Sequence, residues 1–263
     1  MRLGGERIRV KTQREIEVMR AASRHVAEIL QELRERVTPG TTTGDLDDYA
    51  ARAIEARGVT SSFKGYDPDG LPSYPAVLCV SVNEEIVHGI PGSREIGDGD
   101  LVSLDFGVES GGFHGDSAVT IPVGEVDAEC RRLLRTCQES LDGAMEVMGP
   151  GVRLSDIGHS VQSCVEEEGF SVVRDFAGHG IGRALHEPPW IPNFGRPGRG
   201  PRMLPGMVFA VEPMVTAGGP EVAIREDEWT AATADGSMAA HFEHTILITE
   251  HGCETLTSIP GVH

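Results

Sequence analysis

Basic residues are scarce in this sequence: 23 Lys and Arg stand against 41 Asp and Glu, for a formal net charge of −18. That balance argues against a broad nucleic-acid-binding face, because such a surface repels a polyanion. Nine of those 23 basic residues fall in the first 36 positions. Cysteine is sparse too. Cys79, Cys130, Cys137, Cys164 and Cys253 form no C-x-x-C pair and are odd in number. This speaks against a disulfide framework or a structural zinc knuckle and for a reducing, cytoplasmic compartment. No apolar run approaches the roughly 18 residues of a membrane span, and the opening MRLGGERIRVK lacks the apolar segment of a signal peptide. Aromatics make up only 5%, but 39% of residues are hydrophobic, enough for a sizeable core and too many for a disordered chain.

Thr12 and Glu15 form a capping box, and Ile16, Met19, Ala22, Val26, Ile29, Leu33 and Val37 then recur at helical steps until Pro39-Gly40. A second helix is expected from Thr43 to Arg57, stopped by Gly58. Strands follow at Val77 to Val82, Leu101 to Val108 and Phe113 to Val123. Helices from about Val126 to Met148 and Ser155 to Glu168 come next, then strands near Phe170 to Asp175, Met207 to Val211 and Phe242 to Thr249.

The scheme therefore runs twice. Pro39-Gly40 recurs as Pro150-Gly151, Gly58 as Gly169, GDLVSLD as GMVFAVE, VHGIP as LHEPP, and DSAVTI as EHTILI, all in the same order. An internal duplication predicts an α+β fold of two similar halves, about residues 12–124 and 125–256, in a single domain spanning 1–263.

Four acids stand at corresponding strand positions. A hairpin closed at Ser110-Gly111 would set Asp105 directly opposite Asp116, where like charges repel unless a proton or cation lies between them. Two solvated acids on an edge hairpin are the alternative, which the apolar contexts LVSLDFGV and GDSAVTI disfavour. Glu212 ends the apolar run MVFAV and Glu243 sits in HFEHTILIT, with no Lys or Arg nearby to pair them. Oxygen ligands with one imidazole suit Mn, Fe, Co or Zn, and two ions would neutralise four charges.

His179, within AGHGIG, is the candidate imidazole ligand, since flanking glycines allow close approach. His88 and His186 precede turn-forming Gly-Ile-Pro and Glu-Pro-Pro, at matching places in the two halves, as hydrogen-bonding groups toward a substrate. His25 and His159 fall in helices. His114, His241, His244 and His251 are expected to serve structure.

CVSVNEEIVHGIP, DLVSLDFG, FHGDSAVT, GHGIGRALHEPP, MVFAVEPM and HFEHTILIT together resemble the bacterial type I methionine aminopeptidases, from about Thr12 to Leu256. The resemblance implies the pseudo-two-fold "pita-bread" α+β fold, an antiparallel sheet core with flanking helices. It also implies two divalent ions (Co, Mn, Fe or Zn) held by Asp105, Asp116, His179, Glu212 and Glu243. Glu212 would double as acid/base, His88 and His186 would contact substrate, and Tyr66, Tyr74, Cys79, Leu185 and Trp229 would line a methionine pocket. The segment Asp67 to Ser73 reads as an insertion between the two tyrosines, and Leu185 stands where some relatives carry an aromatic.

The implied activity is removal of initiator methionine from nascent chains with a small second residue, by attack of metal-activated water on the scissile peptide. A proline-specific aminopeptidase or prolidase of the same fold is the first alternative; only about eleven residues precede the first helix, where those enzymes usually carry a further domain. A pseudo-peptidase binding module is the second, although such relatives lose ligands and all five are present. A monomer is expected, with no membrane or specific nucleic-acid partner, and the basic start of the chain hints at ribosome contact.

Overall fold

The structure, a computed structural model, describes residues 8–67 and 72–258. Helix α1 (Gln13–Arg34) starts as expected: the Thr12 hydroxyl accepts from the Glu15 N–H, and the Glu15 carboxylate accepts from the Thr12 N–H. Its buried stripe includes Ile16, Met19, Val26 and Leu33. Val37 is buried beyond the helix end, where the chain has already left helical geometry ahead of Pro39. Helix α2 (Thr43–Arg57) repeats the capping box at Thr42 and Asp45 and ends at Gly58, whose φ of 63° is left-handed. Helices α3 (Ala128–Val147) and α4 (Leu154–Glu167) lie within two residues of their expected bounds.

The strands of the first part are β1 (Thr60–Ser61), β2 (Cys79–Val82), β3 (Glu85–Val87), β4 (Leu101–Ser110) and β5 (Phe113–Pro122). After α4 come β6 (Ser171–Val172), β7 (Ala177–Gly180), β8 (Glu187–Pro192), β9 (Val208–Val211) and β10 (Met214–Thr216). The last are β11 (Val222–Ile224), β12 (Ala231–Thr233), β13 (Ala239–His241), β14 (Glu243–Ile248) and β15 (Cys253–Thr255). Nine form one sheet in the order β1-β4-β5-β14-β9-β7-β8, with β2 added to β4 and β15 to β14. Two three-stranded sheets, β13-β10-β6 and β11-β12-β3, complete the set, and every pairing is antiparallel.

Several expected strands come out shorter, two of them for a visible reason. The first starts at Cys79 rather than Val77, because the Asp47 carboxylate takes the Val77 and Leu78 N–H groups out of any ladder. The stretch from Phe170 keeps only β6, since Arg174 and Asp175 run on exposed to solvent.

Alternation along the strands decides which face does what. Leu104, Phe106 and Val108 pack under α1 and α2 with Val26, Ile29, Leu33 and Leu46. Phe209, Val211, Ile246 and Ile248 pack under α3 and α4 with Leu133, Leu141, Ile157 and Val161. The residues between them, Asp105, Gly107, Ala210 and Thr245 among them, are thereby turned to the opposite face of the sheet. All five cysteines are free thiols. Among the described residues, no helix is long and apolar enough to cross a membrane.

A buried ion pair ties the segment before α1 to the first residue of β8. Lys11 Nζ lies 3.0 Å from Glu187 Oε2, with both side chains less than a tenth exposed. Glu187 Oε1 accepts the Arg183 N–H at 2.8 Å. Gly182 makes the room, for a Cβ there would stand 2.7 Å from Lys11 Cε and 2.8 Å from Glu187 Oε1. Lys11→Met strands a buried carboxylate and is expected to cost about 3–5 kcal/mol in urea unfolding. Lys11→Met combined with Glu187→Gln removes the charge, keeps the acceptor for Arg183, and should recover most of that loss. Equal losses in the single and double variants would show that the pair's electrostatics are not what holds this corner.

Candidate active site

Strand register assembles the site. The β4–β5 turn is Gly111-Gly112, with φ of 62° and 81°, and it pairs Ser110 with Phe113. Two successive left-handed residues are the requirement of a type I′ hairpin, and glycine meets it better than serine. The register expected from a Ser110-Gly111 turn is therefore corrected by two residues: Asp105 lies opposite Ala118, and Asp116 opposite Gly107. An even shift keeps side chains on their face, so the two acids are diagonal neighbours rather than a direct pair. Gly107 is needed there, because a Cβ would come within 3.0 Å of Asp116 Oδ1.

The rows continue across the sheet. Ala118 pairs with Glu243, and carrying the β9–β14 register one residue further brings Glu212 opposite Glu243. In the next row Asp116 meets Thr245, whose Oγ1 accepts the Asp116 N–H and donates to the Asp116 carbonyl. Thr245 pairs with Ala210, and Ala210 with His179. Small residues thus alternate with four acids and one imidazole on a single face. His179 lies in β7, and its flanking glycines let strands close in, since a Cβ on Gly178 would stand 2.5 Å from the Ala210 carbonyl.

Burial governs the electrostatics. It pushes the Asp105 carboxyl up to about 7, and burial followed by neighbouring carboxylates raises Asp116, Glu212 and Glu243 well above the usual range. Burial lowers His179 to about 4, leaving the ring neutral. Its Nδ1–H donates to the Gly180 carbonyl at 2.9 Å, so Nε2 presents a lone pair, 3.5 Å from Glu212 Oε1. Asp105 Oδ1, Asp116 Oδ1 and Glu243 Oε1 are buried without a hydrogen-bond partner. Ligand atoms of Asp116, His179 and Glu243 lie within 4.8 Å of one another. Unpaired carboxylate oxygens around one available imidazole nitrogen fit a divalent cation.

All twelve side chains singled out from the sequence line one cavity of about 720 Å³. His88 follows β3 with a φ of 62°, edge-on to Phe176 and Trp229, and burial lowers it to about 4. His186, lowered to about 3 by burial and then by neighbouring histidines, lies 4.3 Å from His179 between ring centres. Its Nδ1 is 2.6 Å from Tyr66 Oη. Tyr74 donates to the Gly89 carbonyl and packs edge-on against Trp229, beside buried Cys79 and Leu185. The Asp67–Ser73 segment lies partly outside the described residues, but Pro72 accepts the Trp229 Nε1–H at 2.9 Å.

The remaining histidines lie away from the lining. His114 bonds Ser62 Oγ and His244 bonds Thr257 Oγ1, whereas His241 is buried with both ring nitrogens unpartnered. Sequence reasoning missed Phe63, Phe176 and Trp190, which also line the cavity. Phe63 and Phe176 stand outside any periodic run, and the prolines of HEPPWIP concealed the strand that carries Trp190.

The sequence profile of metallopeptidase family M24 matches residues 17–250. The chain is 50% identical over 249 residues to methionine aminopeptidase 1 of Bacillus subtilis, covering 95% of this chain and 98% of that protein. It is 49% identical to methionine aminopeptidase of Clostridium perfringens, covering 95% and 98%. The crystal structure of methionine aminopeptidase from Thermotoga maritima superposes with a TM-score of 0.93 at 47% identity, covering 96% of this chain and 100% of that one. Prolidase from Pyrococcus furiosus shares the fold, with a TM-score of 0.77 at 22% identity, and this chain covers 65% of it.

The raised carboxyls make a stability statement. An unfolded Asp ionises near 4, whereas metal-free folded protein holds the Asp105 proton to about 7. Stability is therefore lost as pH rises between those values. In chelated protein, Asp105→Asn removes that loss. It should melt on the order of 5 °C above chelated wild type at pH 8, with the gap closing toward pH 4. A gap that does not change with pH would contradict the burial assigned to Asp105.

Proposed function

We infer what the chain does from its site and its likenesses: it belongs to metallopeptidase family M24 and is a methionine aminopeptidase, a metal-dependent hydrolase. It removes the initiator methionine from nascent proteins whose second residue is small. The observation that carries this beyond the family is the set of buried, unpartnered oxygens of Asp105, Asp116 and Glu243 beside the Nε2 lone pair of His179. The prolidase likeness is one of fold alone.

Asp105, Asp116, His179, Glu212 and Glu243 would hold two divalent ions, of the Co, Mn, Fe or Zn class. Bound there, such ions would supply Lewis-acid polarisation of the scissile carbonyl and a water pKa brought toward the neutral range. Glu212, next to His179, takes the proton of the attacking water and later delivers it to the leaving amine. The Asn193 amide donates to the Glu212 carbonyl at 2.8 Å, which supports a fixed backbone under that carboxylate. His88 and His186 are neutral at pH 7, so each can donate a hydrogen bond to the peptide without adding charge. With Tyr66 Oη donating to Nδ1, His186 carries its hydrogen on Nε2. Tyr66, Tyr74, Cys79, Leu185 and Trp229 bind the methionine side chain, joined by Phe63. Their apolar, aromatic surroundings suit a thioether.

The protein acts in the cytoplasm as a monomer on chain ends presented at the ribosome; the first seven residues, which carry part of the basic start, lie outside the described ones. Its halves, about 12–124 and 125–256, form one domain, a reading supported by the sheet running unbroken from β5 to β14.

Met-Gly and Met-Ala peptides should be cleaved, Met-Lys and Met-Leu spared, and a chelator should abolish turnover. Comparable rates on small and large second residues, or preferential cleavage of Xaa-Pro, would refute the assigned specificity. His179→Ala should lose bound metal and activity together. His88→Ala should keep near-normal metal while turnover falls roughly 10²- to 10⁴-fold; elemental analysis beside steady-state rates tests both. Metal loss in His88→Ala would make that histidine a ligand instead.

A further inference from the structure

Strand β8 is an edge strand, as its prolines Pro188, Pro189 and Pro192 require. Its register sets Trp190 directly opposite His179. Trp190 therefore extends by one strand the row of Asp116, Thr245, Ala210 and His179, on the face that carries the acids. Its ring centre lies 6.5 Å from that of His179 and 6.0 Å from that of His186. Unlike the buried rings of Tyr74 and Trp229, Trp190 is 48% exposed, although it lines the same cavity. Ile224, 55% exposed, lies on the same cavity wall, along with exposed Asp175, Arg225 and Glu228. The cavity thus has one enclosed aromatic end and one open side.

We propose that Trp190 is a specificity-determining residue that receives the side chain of the third residue of the substrate and favours an aromatic one. This rests on the methionine aminopeptidase reading, under which the enclosed end takes the methionine and the rest of the polypeptide leaves by the open side. On that reading the scissile peptide lies beside the His179 and His186 rings, whose centres are 4.3 Å apart. An extended chain advances about 3.3–3.6 Å per residue, so the two residues that follow the scissile bond span about the 6.0–6.5 Å between the indole centre and the two histidine rings. A half-exposed indole loses solvent-facing area when an aromatic ring covers it, with offset or edge-to-face packing open to both. Asp175 and Glu228 stand on the same side, and Arg225 is paired with Glu84 Oε1 at 2.8 Å, so an acidic third residue gains no partner.

The test compares kcat/KM of the metal-loaded enzyme on Met-Ala-Phe and Met-Ala-Ser, which share the scissile bond and the small second residue. Wild type should prefer Phe by about three- to ten-fold, the range expected of one aromatic pair. Trp190→Gln and Trp190→Leu should bring the ratio close to one. A second measurement needs no variant: acrylamide quenching of the wild-type holoenzyme, in which Trp190 is the exposed tryptophan and Trp229 is buried. Saturating Met-Ala-Phe should shield the fluorescence during turnover, and Met-Ala-Ser should not. Cleavage of both peptides with equal kcat/KM and equal quenching overturns the inference alone, as does a Phe preference that persists in both variants. Failure to cleave either peptide overturns the activity reading and this inference with it.

Discussion

Everything in this molecule answers to one electrostatic constraint: four carboxylates gathered on one face of a sheet around the neutral imidazole of His179. Left alone, such a cluster repels itself and holds protons that an unfolded chain would release. Among the described residues no Lys or Arg pairs with it, and several of its oxygens have no hydrogen-bond partner. The fold tolerates this because the opposite face is paid for twice over, by one apolar core under α1 and α2 and another under α3 and α4. A strand that sends Leu104 and Phe106 one way sends Asp105 the other, so the same alternation builds both the stability and the charge that strains it.

The space between the acids matters as much as the acids. Gly107, Ala118, Ala210 and Thr245 occupy the sheet positions among them, and none carries a side chain long enough to fill the centre. Thr245 adds rigidity by bonding both backbone groups of Asp116. Around this frame the loop histidines are held from outside: His186 by Tyr66, and the chain just after it by the Lys11–Glu187 pair.

Much of this was legible in the sequence, for physical reasons that can be named. Capping boxes, glycine stops and amphipathic stripes are local signals, and α1 to α4 emerged within a few residues of their expected bounds. The acids were conspicuous because they interrupt apolar strands, where ionised groups are costly. The hairpin register was not legible to the residue: Ser110-Gly111 and Gly111-Gly112 are both plausible turns, and only the demand for two left-handed residues selects the second. Trp190 escaped because proline suppresses the alternation that marks a strand, while an edge strand accepts it. Likewise β7 is short and glycine-rich, so its register with Ala210 came from tertiary pairing that no local pattern records.

The two rows of the site have a kinetic consequence. Asp105 and Asp116 come from one hairpin, whereas Glu243 joins them only across the β5–β14 seam, 127 residues downstream of Asp116. Loop closure over such a separation belongs to the slow, late part of folding. A chain that has folded only as far as β5 therefore presents two bare acids and cannot yet hold an ion as the finished protein does. Cation capture thus marks completion of the sheet, and the free energy of binding accrues to the whole molecule rather than to either half.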